Sequence, residues 1–273
     1  MEKLVITVAL DGAEVTREQT PHLPVTPQEL AADAAACRQA GASMVHVHGR
    51  LPDGTPTQSG EVFAGIISAI RSRTDVIVQT STGGAVGMAA AERLQPVFLK
   101  PEMASLTTGT VNFGRGVFWN PPELIEEFAR TMAEQGVVPE IECFDVGHIS
   151  NALALVKAGI LRLPLHFDFV MGLTGGIAAT IPNLVHMAQA LPEGCTWSAA
   201  GVGRAQLPMV TAAILLGGHA RVGLEDNIYY TKGVLASNEM LVARVVRLAR
   251  ELGRDVATPD EARRILRVPE RTL

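Results

Sequence analysis

Charge is scarce in this chain, and cysteine scarcer. Only 19% of its 273 residues are Asp, Glu, Lys or Arg, while 47% are apolar. That balance excludes extensive disorder, which needs low hydrophobicity and high charge. There is no basic excess either. The formal net charge is −5 and the pI is near 5.8, which argues against nucleic acid as the main partner. Long hydrophobic runs are missing although mean hydropathy is positive, +0.22. The longest, such as A-A-I-L-L-G-G at 212–218, stop far short of the roughly 18–20 residues of a membrane span. No membrane partner is expected, and the apolar excess reads as two-sided burial of strands plus helix surface covered in an oligomer. The opening M-E-K-L-V-I-T-V-A-L enters a strand directly, without the parts of a signal peptide. Cys37, Cys143 and Cys195 are scattered and form no CxxC, so a reduced, cytoplasmic protein without disulfides is expected. Linkers, low-complexity tracts and repeats are absent, which predicts one domain over 1–273.

What is present is an alternation of strand and helix. Strands are predicted at 4–10, 44–48, 76–81, 103–107, 139–145, 167–173, 196–202 and 220–226. The helices between and after them are predicted at 26–41, 60–73, 88–95, 120–136, 148–159, 181–191, 205–217 and 238–253. Thr26, Pro27, Glu29 and Gly41 supply cap, first helical residue, capping-box partner and stop for the first helix. Alternation implies a parallel sheet, and eight units in this length favour an α/β fold of the (β/α)8 TIM-barrel type over an open sheet. The segment 258–266 reads as a short extra C-terminal helix.

A barrel of this kind carries its chemistry at the C-terminal ends of its strands. M-V-H-V-H-G-R at 44–50 places His46 and His48 there. Residues two apart in a strand share a face, with Cα atoms about 6.6 Å apart. Two buried imidazoles need partners, because an unpaired buried polar group costs roughly 1–3 kcal/mol. On one face they supply half of a typical catalytic zinc site, which a carboxylate can complete. Glu225, in R-V-G-L-E-D-N, is the best third ligand by position, and Glu142 competes for the role. Arg221 shares the face of Gly223 and Glu225 by strand parity, with Asp226 following at the strand end. An Arg pointing into a barrel must be paired. An Arg–Asp pair can be structural, can bind a carboxylate or can act in proton transfer. Asp11 and Glu14 follow strand 1, and Ser105 and Thr107 close strand 4. S-T-G-G at 81–84 can cradle an anion, and Arg204 is a candidate CoA or phosphate contact. Met103, Met132, Met171 and Met187 read as core, and His148 and His166 as structural.

Taken together, the sequence resembles the beta-keto acid cleavage enzyme family along essentially its whole length. The motifs are D-G-A-E (11–14), A-G-A-x-x-V-H-V-H (40–48), Q-T-S-T-G-G (79–84), P-E-M-A-S-L (101–106), P-E-I-E-C-F-D (139–145), G-H-A-R-V-G-L-E-D-N (218–227) and A-T-P-x-E-A-R. The resemblance implies a zinc-dependent homotetrameric transferase with acetyl-CoA as co-substrate. Such an enzyme condenses a 3-oxo acid with acetyl-CoA to give acetoacetate and a new acyl-CoA. By motif, His46, His48 and Glu225 match the metal ligands, and Arg221 and Asp226 the catalytic pair. Glu14 matches a contact that reads the distal end of the keto acid, and Ser81, Gly84 and Ser105 match positions that hold its carboxylate and keto group. The strand-5 glutamate maps to Glu142 or Glu140, with Glu142 favoured. The chain departs from the family's x-R-D after the second histidine, reading G-R-L-P-D at 49–53, and carries Ser105 where other members have Thr. The rivals are a metal-dependent hydrolase, whose H-x-H belongs on strand 1; a lyase related to the acyl-CoA lyases, whose H-x-H comes late in the chain; and a non-catalytic metal-binding barrel.

Overall fold

The predicted alternation closes on itself. In the computed structural model, which describes residues 2–269, β1 (Ile6–Ala9), β2 (Met44–Val47), β3 (Ile77–Thr80), β4 (Met103–Thr107), β5 (Val138–Cys143), β6 (His166–Met171), β7 (Thr196–Gly201) and β8 (His219–Val222) form a closed parallel barrel. Strands pair in chain order, and β8 returns to β1 with Ile6 opposite Ala220 and Val8 opposite Val222.

The two faces of each strand have different duties, as a period of two requires. Outward residues such as Val8, Val45, Val78 and Ala220 pack with the helix layer in one large cluster, and Leu106, Ile141, Phe167 and Ala199 do so in another. The methionines expected in the core (Met103, Met132, Met171 and Met187) are fully buried. Inward residues form layers. At the N-terminal end Val5, Met44, Ile77 and Met103 meet Ala262 and Leu266 of the C-terminal helix α9 (Pro259–Leu266), which plugs that end. Above them the interior turns polar: Gln79, Glu140, His166, Asp168, Ser198 and Arg221 are all buried.

The helices are α1 (Pro27–Ala40), α2 (Gly60–Arg71), α3 (Ala90–Arg93), α4 (Pro122–Gln135), α5 (Val146–Lys157), α6 (Ile181–Gln189), α7 (Gln206–Leu216) and α8 (Asn238–Glu251). The capping box expected at Thr26 and Glu29 forms. The helix expected at 88–95 is shorter: Pro96 disfavours α geometry at the residue before it, and a 3-10 turn (Gln95–Leu99) follows α3. Among the described residues no helix is long and apolar enough to cross a membrane.

Three hairpins were not anticipated: Gly49–Arg50 with Pro56–Thr57, Val111–Phe113 with Gly116–Phe118, and Tyr229–Thr231 with Val234–Leu235. They follow β2, β4 and β8, so they rise from the rim where chemistry is expected. Strands of two or three residues are too short to show a period.

Candidate active site

One wall of the site comes from β8, β1 and β2. His46 lies within β2 and His48 just past its end, with ring centroids 5.2 Å apart. The strand expected to run to residue 226 stops at Val222. Gly223 then turns the chain at φ +145°, where a Cβ would sit 2.0 Å from the Ala9 carbonyl oxygen, so only glycine fits. A turn closed by Asn227 N–H on the Gly223 carbonyl (3.1 Å), rather than strand parity, delivers Glu225 to the histidines. Its Oε2 lies 3.6 Å from His46 Nε2 and its Oε1 3.5 Å from His48 Nε2. Gly12, at φ +62°, makes room: a Cβ there would be 2.6 Å from Glu225 Cγ.

This trio fits a divalent metal. Its donor atoms lie within 4.8 Å of one another. Glu225 Oε2 is buried without a hydrogen-bond partner among the described residues. His46 Nδ1 is 2.6 Å from Gln79 Oε1, which only accepts, so the proton sits on Nδ1 and the Nε2 lone pair faces Glu225. Burial pulls the His46 pKa down to about 4, leaving the neutral form that ligates metals. For His48, burial pulls the same way, but Glu225 and Asp11 outweigh it and raise the pKa. Asp11 accepts from His48 N–H at 2.9 Å, and its own burial pushes it up to about 7.

Beside the trio, Arg221 faces four carboxylates and is 2% exposed. Its Nε is 3.1 Å from Asp226 Oδ2, and its Nη2 is 3.2 Å from Asp226 Oδ1 and 2.8 Å from Glu225 Oε1. Nη1 is 3.2 Å from Asp168 Oδ2 and 3.5 Å from Glu142 Oε1. Burial drives the carboxyl pKa of Asp226, Glu142 and Asp168 upward against the pull of the guanidinium. One cation does not balance this acid cluster, and a divalent ion on Glu225 would offset the surplus. Thr107 Oγ1 donates to Glu142 at 2.5 Å and Ser198 Oγ to Asp168 at 2.6 Å. Asp168 escaped the sequence reading. Its signal was an acid at an inward position of the apolar strand F-D-F-V-M. Glu140 lies one layer deeper, 3.3 Å from His166, so Glu142 is the strand-5 carboxylate at the site.

The two groups open on a cavity of about 250 Å³. The opposite wall is apolar: Phe113 and Phe118 from the hairpin after β4, with Phe144, Val170, Leu173 and Val202.

Comparison with known proteins decides the family. The model of the beta-keto acid cleavage enzymes matches residues 3–268. The chain belongs to the beta-keto acid cleavage enzyme family. It is 54% identical over 269 residues to a 3-keto-5-aminohexanoate cleavage enzyme of Fusobacterium nucleatum, covering 97% of this chain and 98% of that one. It is 40% identical to a 3-oxoadipate:acetyl-CoA acetyltransferase of Cupriavidus necator, with 97% and 95% covered. Among solved structures, the apo structure of ObcA superposes with a TM-score of 0.80 at 22% identity, covering 91% of this chain and 66% of that longer one, a likeness of fold.

In this beta-keto acid cleavage enzyme, His46, His48, Glu225, Arg221, Asp226, Glu142, Glu14, Ser81 and Gly84 all line the one cavity. Ser105 does not: it is buried beside that wall, and its Oγ accepts from Thr82 N–H at 3.2 Å. The displaced Asp53 is exposed and caps its own turn, accepting from Thr55 N–H at 2.9 Å. Arg204 is exposed after β7, and His148 is structural, its Nδ1 accepting from Phe144 N–H at 3.3 Å.

Proposed function

We propose that this chain cleaves a short 3-oxo acid with a polar or cationic tail, using acetyl-CoA and giving acetoacetate and the CoA ester of the remaining acyl portion. The observation that carries the reading is the contact of Arg221 with both Glu225, beside the two histidines, and Asp226, all on one cavity. His46, His48 and Glu225 would hold a divalent metal, zinc by donor set, that supplies Lewis-acid polarisation of the substrate's keto group. Backbone N–H groups of the Ser81–Gly84 turn would receive the substrate carboxylate. Arg221 fixes Asp226 through two hydrogen bonds, one to each carboxylate oxygen, and so holds that carboxylate on the cavity where the methylene between keto group and carboxylate would lie. Burial raises the Asp226 pKa toward the range of a working base, and Asp226 takes the methylene proton. The resulting carbanion attacks the acetyl carbonyl of acetyl-CoA and CoA thiolate leaves. The thiolate then adds to the original keto carbon, the C–C bond breaks, and the departing carbon takes up a proton as acetoacetate.

Glu14, exposed at the cavity wall, suits a cationic tail, in keeping with the amino group in the name of the 54% identical relative. Exposed Leu207, Leu215 and Leu216 on α7 support a homo-oligomer, with a tetramer as the specific reading. Three unpaired cysteines support a reducing, cytoplasmic setting.

The test is acetoacetate formation by the purified protein, with and without acetyl-CoA, against 3-oxo acids with cationic, neutral and anionic tails. Acetyl-CoA-dependent acetoacetate, fastest with the cationic tail, is expected. No acetoacetate from any of them refutes the reading.

A further inference from the structure

Arg50 is 4% exposed, and no step above uses it. It sits on the hairpin after β2 and spends its guanidinium on backbone carbonyls. Nε and Nη2 donate to the Gly12 carbonyl at 3.1 and 2.6 Å, and Nη2 donates to that of Val15 at 2.8 Å. Nη1 donates to the Gly54 carbonyl at 2.8 Å, across its own hairpin. Asp11 Oδ2 lies 3.9 Å from Nε. The carbonyls of Gly12 and Val15 bracket Ala13 and Glu14, and both of these line the cavity. The segment 12–15 has no helix or strand to order it. One planar fork therefore ties it to the hairpin at both ends of the Glu14 dipeptide. A lysine, with a compact ammonium, cannot reach the three carbonyls in the same geometry.

We propose that Arg50 is a positioning residue for Glu14. It holds segment 12–15 so that the Glu14 carboxylate faces the tail of the bound 3-oxo acid, and discrimination by tail charge depends on it. This rests on the function proposed above.

The test compares kcat/KM for 3-keto-5-aminohexanoate and for 3-ketohexanoate, which lacks the amino group. The proteins are wild type, Arg50→Lys, Glu14→Gln and the double variant, with Tm and amide hydrogen exchange of residues 13–15 measured for each. Glu14→Gln and Arg50→Lys are each expected to reduce the preference for the amino substrate about tenfold, the worth of one charge-assisted contact. The double variant is expected to lose no more than either single one, because both act through the same carboxylate. If Arg50→Lys slows both substrates equally and keeps the preference while Glu14→Gln removes it, Arg50 is merely structural and the inference is overturned. If Glu14→Gln leaves the preference intact, Glu14 does not read the tail and the inference falls with that reading. If neither substrate yields acetoacetate, the functional reading fails and exchange decides the positioning role by itself. Faster exchange at residues 13–15 in Arg50→Lys, with the barrel strands unchanged, supports it, and unchanged exchange refutes it. Should Arg50→Lys not fold, Arg50→Gln is measured in the same way.

Discussion

The two walls of the cavity are built on opposite principles. The β8–β1–β2 wall is polar and is held by directional contacts: Arg221 to its carboxylates, Gln79 to His46, Asp11 to the His48 backbone. Behind it, Asn238 ties three elements at once. Its amide donates to the Leu10 carbonyl and to Asp33, at 2.8 and 2.6 Å, and its oxygen accepts from Leu224 N–H at 2.8 Å. The facing wall of Phe113, Phe118, Phe144 and Val170 packs without such direction. Direction fixes where charge develops, while apolar packing fixes shape and excludes water. Loss of a polar-wall residue should therefore strike kcat, and loss of an apolar-wall residue should strike KM and stability.

The largest break is expected at Glu225. Glu225→Ala removes one of the three donors proposed for the metal and a partner of Arg221, so kcat/KM should fall by about 10³-fold or more, with metal content by elemental analysis falling in parallel. Arg221→Lys keeps the charge but loses the fork that orients Asp226. A drop in kcat of about 10²-fold with little change in KM is expected from steady-state kinetics. Asp168→Asn, one contact further from the cavity, should cost about tenfold in kcat. An equal loss in KM instead would place Asp168 on the substrate rather than on Arg221. On the other wall, Phe118→Ala should raise KM a few-fold, leave kcat nearly unchanged, and destabilise by about 3 kcal/mol in urea melts.

The smallest effect on catalysis, and the sharpest on the support of the polar wall, is at Asp33. Burial pushes its pKa up to about 6 in the folded chain. The folded state then holds a proton that the unfolded state has released, so this group's contribution to stability falls as pH rises from about 4 to about 6. Asp33→Asn removes that loss. Relative to wild type, its stability in urea melts should improve by about 2 kcal/mol between pH 4 and pH 7, with kcat unchanged.

Much of this was readable in advance, for reasons that differ by residue. The eight strand–helix units announce themselves because inward and outward faces are both buried and the helices carry their own caps, as at Thr26 and Gly41. His46 and His48 were legible because their spacing matches the strand period. Glu225 was legible by motif and by its closeness to the strand end, but the strand expected to carry it to residue 226 stops at Val222. Gly223 turns the chain out of the strand, and the Ala9 carbonyl that forces the turn is more than two hundred residues away in sequence. Asp168 and Gln79 were hidden because a polar residue inside an apolar strand has no local pattern to name its partner. The rim hairpins were hidden because strands of two or three residues are too short to display the alternation of a strand. Ser105 was placed by motif at the substrate; it lies outside the cavity lining, buried beside it, with its hydroxyl oxygen accepting from Thr82 N–H.

The most direct test of the account is activity in metal-stripped protein. The chain is dialysed against a chelator, assayed for acetyl-CoA-dependent acetoacetate from 3-keto-5-aminohexanoate, and assayed again after zinc is returned. The account predicts that activity disappears with the metal and returns at one zinc per chain, and that His46→Ala neither binds zinc nor recovers. Full activity in the metal-free protein, or in His46→Ala, would contradict it.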